Sequence, residues 1–158
     1  MSLRGTHRLR VRYAECDPQG QVFNGFFLTY LDTAFDEFLA ATLGSYERLE
    51  QDSRSYVVAE ANLHFLAPAK AHDDLDLAVE LDEPGGSSMT ANFEIRRMEA
   101  LLTTAWIRYV CIDTGTNKSA GWPDWFREAI RPYVRTDANP SPDAPKSRSE
   151  SPTQAKRE

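Results

Sequence analysis

A helix laid on one face of an antiparallel sheet, the α+β class, is what this sequence predicts. Three observations lead there. Between residues 24 and 43 apolar side chains recur at steps of three and four, the period of an amphipathic helix. Downstream, four segments are rich in β-branched and aromatic residues and in part alternate with polar ones, as strands do. Clusters of Gly, Pro, Asp and Asn punctuate them as turns. A helix with one apolar stripe needs something to bury it, and a sheet face provides that partner.

The elements follow in order. Arg8 to Tyr13 reads as a short strand, and Asp17-Pro18 with Gly20 as a loop. The helix starts near Asn24 or Gly25 and runs to about Leu43, with Phe27, Leu28, Leu31, Phe35, Phe38, Leu39 and Leu43 as its apolar side. Asp32, Asp36 and Glu37 fall largely on other faces, and Gly44 is a stop signal. Strands are expected over Ser55 to Leu66, Leu75 to Leu81, Met89 to Arg97 and Leu101 to Ile112. The turn Asp82-Glu83-Pro84-Gly85-Gly86-Ser87 separates the second and third, and Asp113 to Asn117 closes the last. A short helix is expected over Pro123 to Val134, with Trp122, Trp125, Phe126 and Ile130 on its apolar side. From Thr136 the chain is rich in Ser, Pro, Lys and Glu and holds no large apolar residue, the signature of a disordered tail. The expected organisation is therefore one domain over 1–135 and a tail over 136–158.

Composition narrows the function. At 158 residues and 41% hydrophobic content the chain can bury a modest core. A net charge of −6 argues against nonspecific nucleic-acid binding. The two cysteines, Cys16 and Cys111, make no disulfide framework and no zinc spacing. No apolar run reaches the length of a membrane span, and the first residues lack the apolar core of a signal peptide, so a cytoplasmic protein without membrane contact is expected. Asn117-Lys118-Ser119 then reads as a turn rather than a glycosylation site. His7, His64 and His72 fall in no metal-ligand spacing, and no Gly-x-Ser-x-Gly elbow is present, so neither a metal site nor a serine hydrolase is expected.

The chemistry concentrates in Tyr13-Ala14-Glu15-Cys16-Asp17-Pro18-Gln19-Gly20-Gln21-Val22-Phe23-Asn24. A carboxylate in a Pro/Gly loop stands just ahead of a helix N-terminus. Such an order can join a base or nucleophile to free backbone N–H groups that polarise a carbonyl. An Asp before Pro is also simply a turn former. The pattern Arg12-Tyr13, Asp17, Gly20, Val22-Phe23, then Phe26, Phe27 and Tyr30 on the helix resembles the signature of the 4-hydroxybenzoyl-CoA thioesterase family of hotdog-fold proteins. A second match follows in order: Tyr56-Val57-Val58, Ala67-Pro68-Ala69-Lys70 and Asp73-Asp74-Leu75. Together the resemblance runs from about Arg8 to Tyr133.

The resemblance implies a hotdog fold, a long central helix wrapped by a curled antiparallel sheet, with protomers paired edge to edge as a homodimer or homotetramer and active sites at the interface. It implies an acyl-CoA thioester hydrolase with no metal or redox cofactor, coenzyme A being part of the substrate. Asp17 then attacks the thioester or activates water, and backbone amides at Asn24 and Gly25 receive the oxyanion. Asn24 replaces a His found in some relatives, and it also reads as a helix cap.

The expected substrate contacts are Phe23, Phe26, Asn62 and Phe65 for the acyl group. For the phosphates they are Ser87, Ser88 and Arg97, with Arg96, Lys70 and Lys118 as further basic candidates. Strand alternation sends Arg96 and Arg97 to opposite faces. Asp32, Asp36 and Glu37 are rival carboxylates, since another branch of hotdog thioesterases places its acid in mid-helix. Glu60 faces either the pocket or solvent. The rival functions are a non-catalytic acyl-CoA or acyl-carrier-protein binder on the same fold, and a hydratase, which the absence of a His between Asp17 and the end of the helix disfavours.

Overall fold

The computed structural model describes residues 2–136; the expected tail, apart from Thr136, lies outside the described residues. Five antiparallel strands form one sheet: β1 (Gly5–Arg10), β2 (Arg54–Phe65), β3 (Asp74–Leu81), β4 (Ser88–Arg97) and β5 (Ala100–Asp113), in the order β1-β3-β4-β5-β2. Three helices accompany it: α1 (Asn24–Leu43), α2 (Glu47–Gln51) and α3 (Asp124–Ile130).

Alternation assigns the faces. Leu75, Leu77, Val79 and Leu81 on β3, Met89, Ala91, Phe93 and Ile95 on β4, and Ala105, Ile107, Tyr109 and Cys111 on β5 are all buried. This inner face joins the buried side of α1 in one core, formed there by Phe27, Tyr30, Leu31, Ala34, Phe35, Phe38 and Leu39. Phe35 stacks flat on Tyr109 of β5, with ring centroids 4.0 Å apart. Gly5 of β1 has no Cβ because one would fall 2.4 Å from the Phe38 ring. The outer face carries ion pairs instead, among them Arg4–Glu80, Arg96–Glu94 and Arg108–Glu60.

Several boundaries differ from expectation. The first strand ends at Arg10, and Tyr13–Glu15 is a turn of 3₁₀ helix. Leu28 lies on the exposed flank of α1, while Tyr30 and Ala34 are buried. The helix α2, one and a half turns long, is too short to carry a periodic signal. Gly44 ends α1 in the left-handed conformation, φ 77°, as its position suggests. The last segment divides into α3 and a 3₁₀ turn, Arg131–Tyr133.

Among the described residues strand β2 is outermost and its second edge is unpaired. A bulge interrupts its register on β5 between Val58 and Glu60. Val57 and Val58 are 45% and 48% exposed. No helix among the described residues is long and apolar enough to cross a membrane.

Candidate active site

The acidic loop is a small hairpin. The Asp17 N–H donates to the Gln21 carbonyl at 2.7 Å, and Cys16 pairs with Val22. Asp17 Oδ1 accepts the N–H of Gln19 at 2.8 Å and of Gln21 at 3.2 Å, the side-chain-to-backbone closure that Asp provides in turns. Gly20 sits at φ 77°, which favours glycine. Asp17 is half-buried. The hairpin is fixed on both sides: Val22 N–H donates to the Ala69 carbonyl, and the Glu15 carbonyl accepts the N–H of Phe23 at 3.0 Å.

Phe23 is the N-cap of α1, with an extended backbone, and Asn24 is the first helical residue. Asn24 is therefore no cap, contrary to the simpler reading. Its N–H and that of Gly25 stand where backbone donors have no intrahelical partner.

Beside this helix start lies a cleft of about 360 Å³, lined by Gln21, Val22, Asn24, Phe27, Phe65, Leu66, Ala67 and Pro68. Phe27 and Phe65 meet edge to face at 5.3 Å, and Phe65 and Leu66 are 49% and 57% exposed. Six of the eight lining residues are apolar and two, Gln21 and Asn24, carry amides, a mixed surface suited to an acyl chain bearing a polar group. Asp17 does not itself line it but bonds to Gln21, which does.

The structure sorts the expected contacts. Asn24 and Phe65 reach the cleft. Phe26 is half-buried against the core, and Phe23 is 53% exposed beside Gly25. Asn62 is exposed and belongs by alternation to the outer face, away from Phe65. Ser87 and Ser88 are not at this cleft: Ser88 pairs with Val110 and Phe65 with Thr103, so about 23 Å of β5 separates them within one protomer. Lys118 is at that far end too, accepting the Asp113 N–H through its carbonyl.

Arg97 is at the cleft end but donates to Asp73 Oδ2 at 2.7 Å. Burial works against ionisation of Asp73, yet the Lys70 N–H and the Arg97 guanidinium outweigh it and hold the carboxyl below its usual range. Arg96 pairs with Glu94. Lys70 is exposed and bridges to Gln21 through its backbone. Among the described residues Lys70, whose backbone pairs with Gln21 of the cleft lining, forms no ion pair.

Among the rival carboxylates, Glu60 pairs with Arg108 on the outer face. Asp36 accepts the Tyr56 hydroxyl at 2.7 Å. Burial, and then the neighbouring Asp36, pushes the Asp32 carboxyl up. No group of three or more His, Cys, Asp and Glu among the described residues is placed to hold a metal ion.

Two contacts became visible only in the fold, although the motifs already contain Glu15, Tyr30 and Ala67-Pro68. Glu15 and Tyr30, fifteen positions apart, share a 2.5 Å hydrogen bond. The cleft wall Leu66-Ala67-Pro68 becomes a wall only once β2 delivers it beside α1.

Comparison with known proteins agrees with this architecture. The profile of the Thioesterase-like superfamily matches residues 11–130. The acyl-CoA thioesterase YbgC of Haemophilus influenzae is 26% identical over 124 residues, spanning 77% of this chain and 90% of that protein. The solved 1,4-dihydroxy-2-naphthoyl-CoA thioesterase from Synechocystis superposes with a TM-score of 0.73 at 24% identity, over 81% of this chain and 96% of its own. The Dynemicin thioesterase does so with 0.78 at 21%, over 85% and 99%. At such identities the solved structures speak to the fold, and the profile match to descent: the chain belongs to the thioesterase-like superfamily.

Proposed function

We propose that the chain is a hotdog-type acyl-CoA thioesterase, its sheet curling around α1, that hydrolyses an acyl-CoA to a free acid and CoA. The observation that carries this is the juxtaposition of three things: a cleft lined mainly by apolar residues, a helix start with free N–H groups, and a carboxylate on the hairpin that borders both. The acyl group lies in the cleft against the wall that Phe65 and Phe27 form together. The thioester carbonyl oxygen points at the N–H groups of Asn24 and Gly25, where the positive end of the helix favours the developing oxyanion. Asp17 takes a proton from water as the water oxygen bonds to the carbonyl carbon, or attacks that carbon itself to give an anhydride that water then opens. In either route the C–S bond breaks and the thiolate leaves to be protonated. The residues present supply a base and an oxyanion site, so the reaction calls for no metal or redox group. The exposed Lys70 is the best-placed side chain for a CoA phosphate.

The unpaired edge of β2, with Val57, Val58, Phe65 and Leu66 exposed, supports pairing of two protomers into one continuous sheet. That pairing would bring residues remote in one protomer, Ser87 and Ser88 among them, toward a partner's cleft.

One observation favours a second reading. Asp17 Oδ1 already accepts two backbone N–H groups, as it would in a binding protein that keeps the acid only for its turn. Release of free thiol from aromatic, short and long acyl-CoAs, measured with wild type and Asp17→Asn, separates the two. Turnover lost in the variant with CoA binding retained supports the enzyme. CoA binding without turnover in either protein supports the binder.

A further inference from the structure

We propose that Glu15 and Tyr30 form a positioning pair that sets the Asp17 hairpin against the first turn of α1; the proposal rests on the reading of Asp17 as the reacting carboxylate. Tyr30 stands six residues after Asn24, and helical side chains lean toward the N-terminus, so its hydroxyl reaches back over the helix start. There it donates to Glu15 Oε2 at 2.5 Å, and the same oxygen accepts the Arg12 N–H at 2.9 Å. Tyr30 is 4% exposed and Glu15 half-buried, so this charge-assisted bond is partly shielded from water. Burial first, and the bond to Glu15 second, pushes the Tyr30 hydroxyl up, which keeps it a donor across the working pH range.

The pair carries weight because, apart from the chain itself running from Val22 into the N-cap Phe23, few hydrogen bonds among the described residues join hairpin to helix. The Asp17 carboxylate spends Oδ1 inside its own turn. The main-chain bond from Phe23 N–H to the Glu15 carbonyl is the other link, and it uses the same residue. Glu15 thus holds the helix N-cap through its backbone and the second turn of the helix through its side chain. The Tyr30 ring is fixed in turn by Phe27, edge-on at 5.9 Å, and Phe27 also meets Phe65 at the cleft wall. One chain of contacts, Glu15–Tyr30–Phe27–Phe65, therefore relates the carboxylate hairpin, the oxyanion amides and the acyl wall. A displacement of about 1 Å between reacting groups costs on the order of a hundredfold in rate. Substrate affinity, set by the cleft, is not expected to follow.

The test combines Tyr30→Phe, Glu15→Gln, Glu15→Ala and the Tyr30→Phe/Glu15→Ala double variant. Each is assayed for kcat and KM on the acyl-CoA that wild type turns over best, and for amide hydrogen exchange. Tyr30→Phe should lower kcat about ten- to a hundredfold and leave KM within about twofold. Exchange at the Gln19, Gln21 and Phe23 amides should rise by about tenfold or more while residues 31–43 of α1 stay protected. Glu15→Gln keeps a carbonyl acceptor and should restore most of kcat. The double variant should be no slower than the worse single one, as for groups acting as a unit.

Unchanged kcat and unchanged hairpin exchange in Tyr30→Phe overturn the proposal. So does a rise in exchange spread evenly over α1, or a loss confined to KM. Asp17→Asn runs alongside: turnover surviving there overturns the reading of Asp17, and with it the catalytic half of this proposal. The exchange data report on the tether with no reference to turnover.

Discussion

Removing the hydroxyl of Tyr109 tests the core beneath α1 at a single atom. Tyr109 is fully buried, its ring lies flat on Phe35, and its Oη finds no hydrogen-bond partner among the described residues. An unpartnered buried polar group costs about 1–3 kcal/mol. Tyr109→Phe keeps the ring and the stack and deletes only that oxygen, at the expense of a hydroxyl-sized void worth well under a methyl-sized cavity, about 1 kcal/mol. The variant should gain about 1 kcal/mol, or about 4 °C in Tm for a domain this size.

The same substitution reads a pH dependence. Burial, then the charges of Asp32 and Asp36, pushes the Tyr109 hydroxyl up; burial, then the bond to Asp36, does so for Tyr56. The folded protein keeps both protons where an unfolded chain, with tyrosine pKa about 10, releases them. Their contribution to stability is thus fully present below about pH 10 and is lost above it. The loss runs at about 1.4 kcal/mol per pH unit for each group. Tyr109→Phe should remove one proton from that slope. Urea unfolding of both proteins at steps from neutral pH to about pH 11 measures it, with the unfolded tyrosine pKa as the reference. A variant less stable than wild type at neutral pH would refute the account and mean that the hydroxyl has a partner; an unaltered alkaline slope would refute it by showing that Tyr109 titrates alike in both states.

Four further outcomes are expected. Asp17→Asn keeps an acceptor at Oδ1 and should stay within about 0.5 kcal/mol of wild-type stability while thiol release falls about a hundred- to ten-thousandfold. Asp17→Ala, which orphans the Gln19 and Gln21 N–H groups, should lose about 1–2 kcal/mol as well, read by urea unfolding. Gly5→Ala drives a methyl into the Phe38 ring and should destabilise by about 1–3 kcal/mol in the same measurement. Val58→Lys charges the half-exposed edge of β2; forfeiting about 1 kcal/mol per copy, it should weaken a two-fold dimer roughly thirtyfold by sedimentation equilibrium.

Much of this was legible in the chain because the relevant signals are local. The 3.6-residue stripe over Phe27 to Leu43, the Gly44 stop and the alternation in β3 and β4 each need only a few neighbouring residues to be read. The motif around Asp17 pointed to Asn24 as an oxyanion site, and the fold sets Asn24 in the cleft lining. What failed depended on partners distant in sequence. Leu28 continues the apolar stripe, yet no neighbour among the described residues covers it and it is 41% exposed. Asn62 and Phe65 are the exception: three positions along a strand puts them on opposite faces, which local alternation alone could have told. Arg97 was a free cation until the fold brought Asp73 to it. The Glu15–Tyr30 bond joins a 3₁₀ turn to a helix, and no periodicity marks it.

The chain's last described residues are stitched to the sheet at the end away from the cleft. Val134 bridges Leu81, Arg135 N–H donates to the Leu81 carbonyl, and its guanidinium pairs with Asp82. Leu81 closes β3, whereas the cleft loop enters that strand at Asp74, about 23 Å away along the strand. For anyone immobilising the protein on a sensor chip, or fusing a reporter to it, this geometry recommends attachment after Thr136. A cut after Val134 would instead strip the Arg135 fastening, unpicking the terminal stitch while leaving the binding mouth untouched.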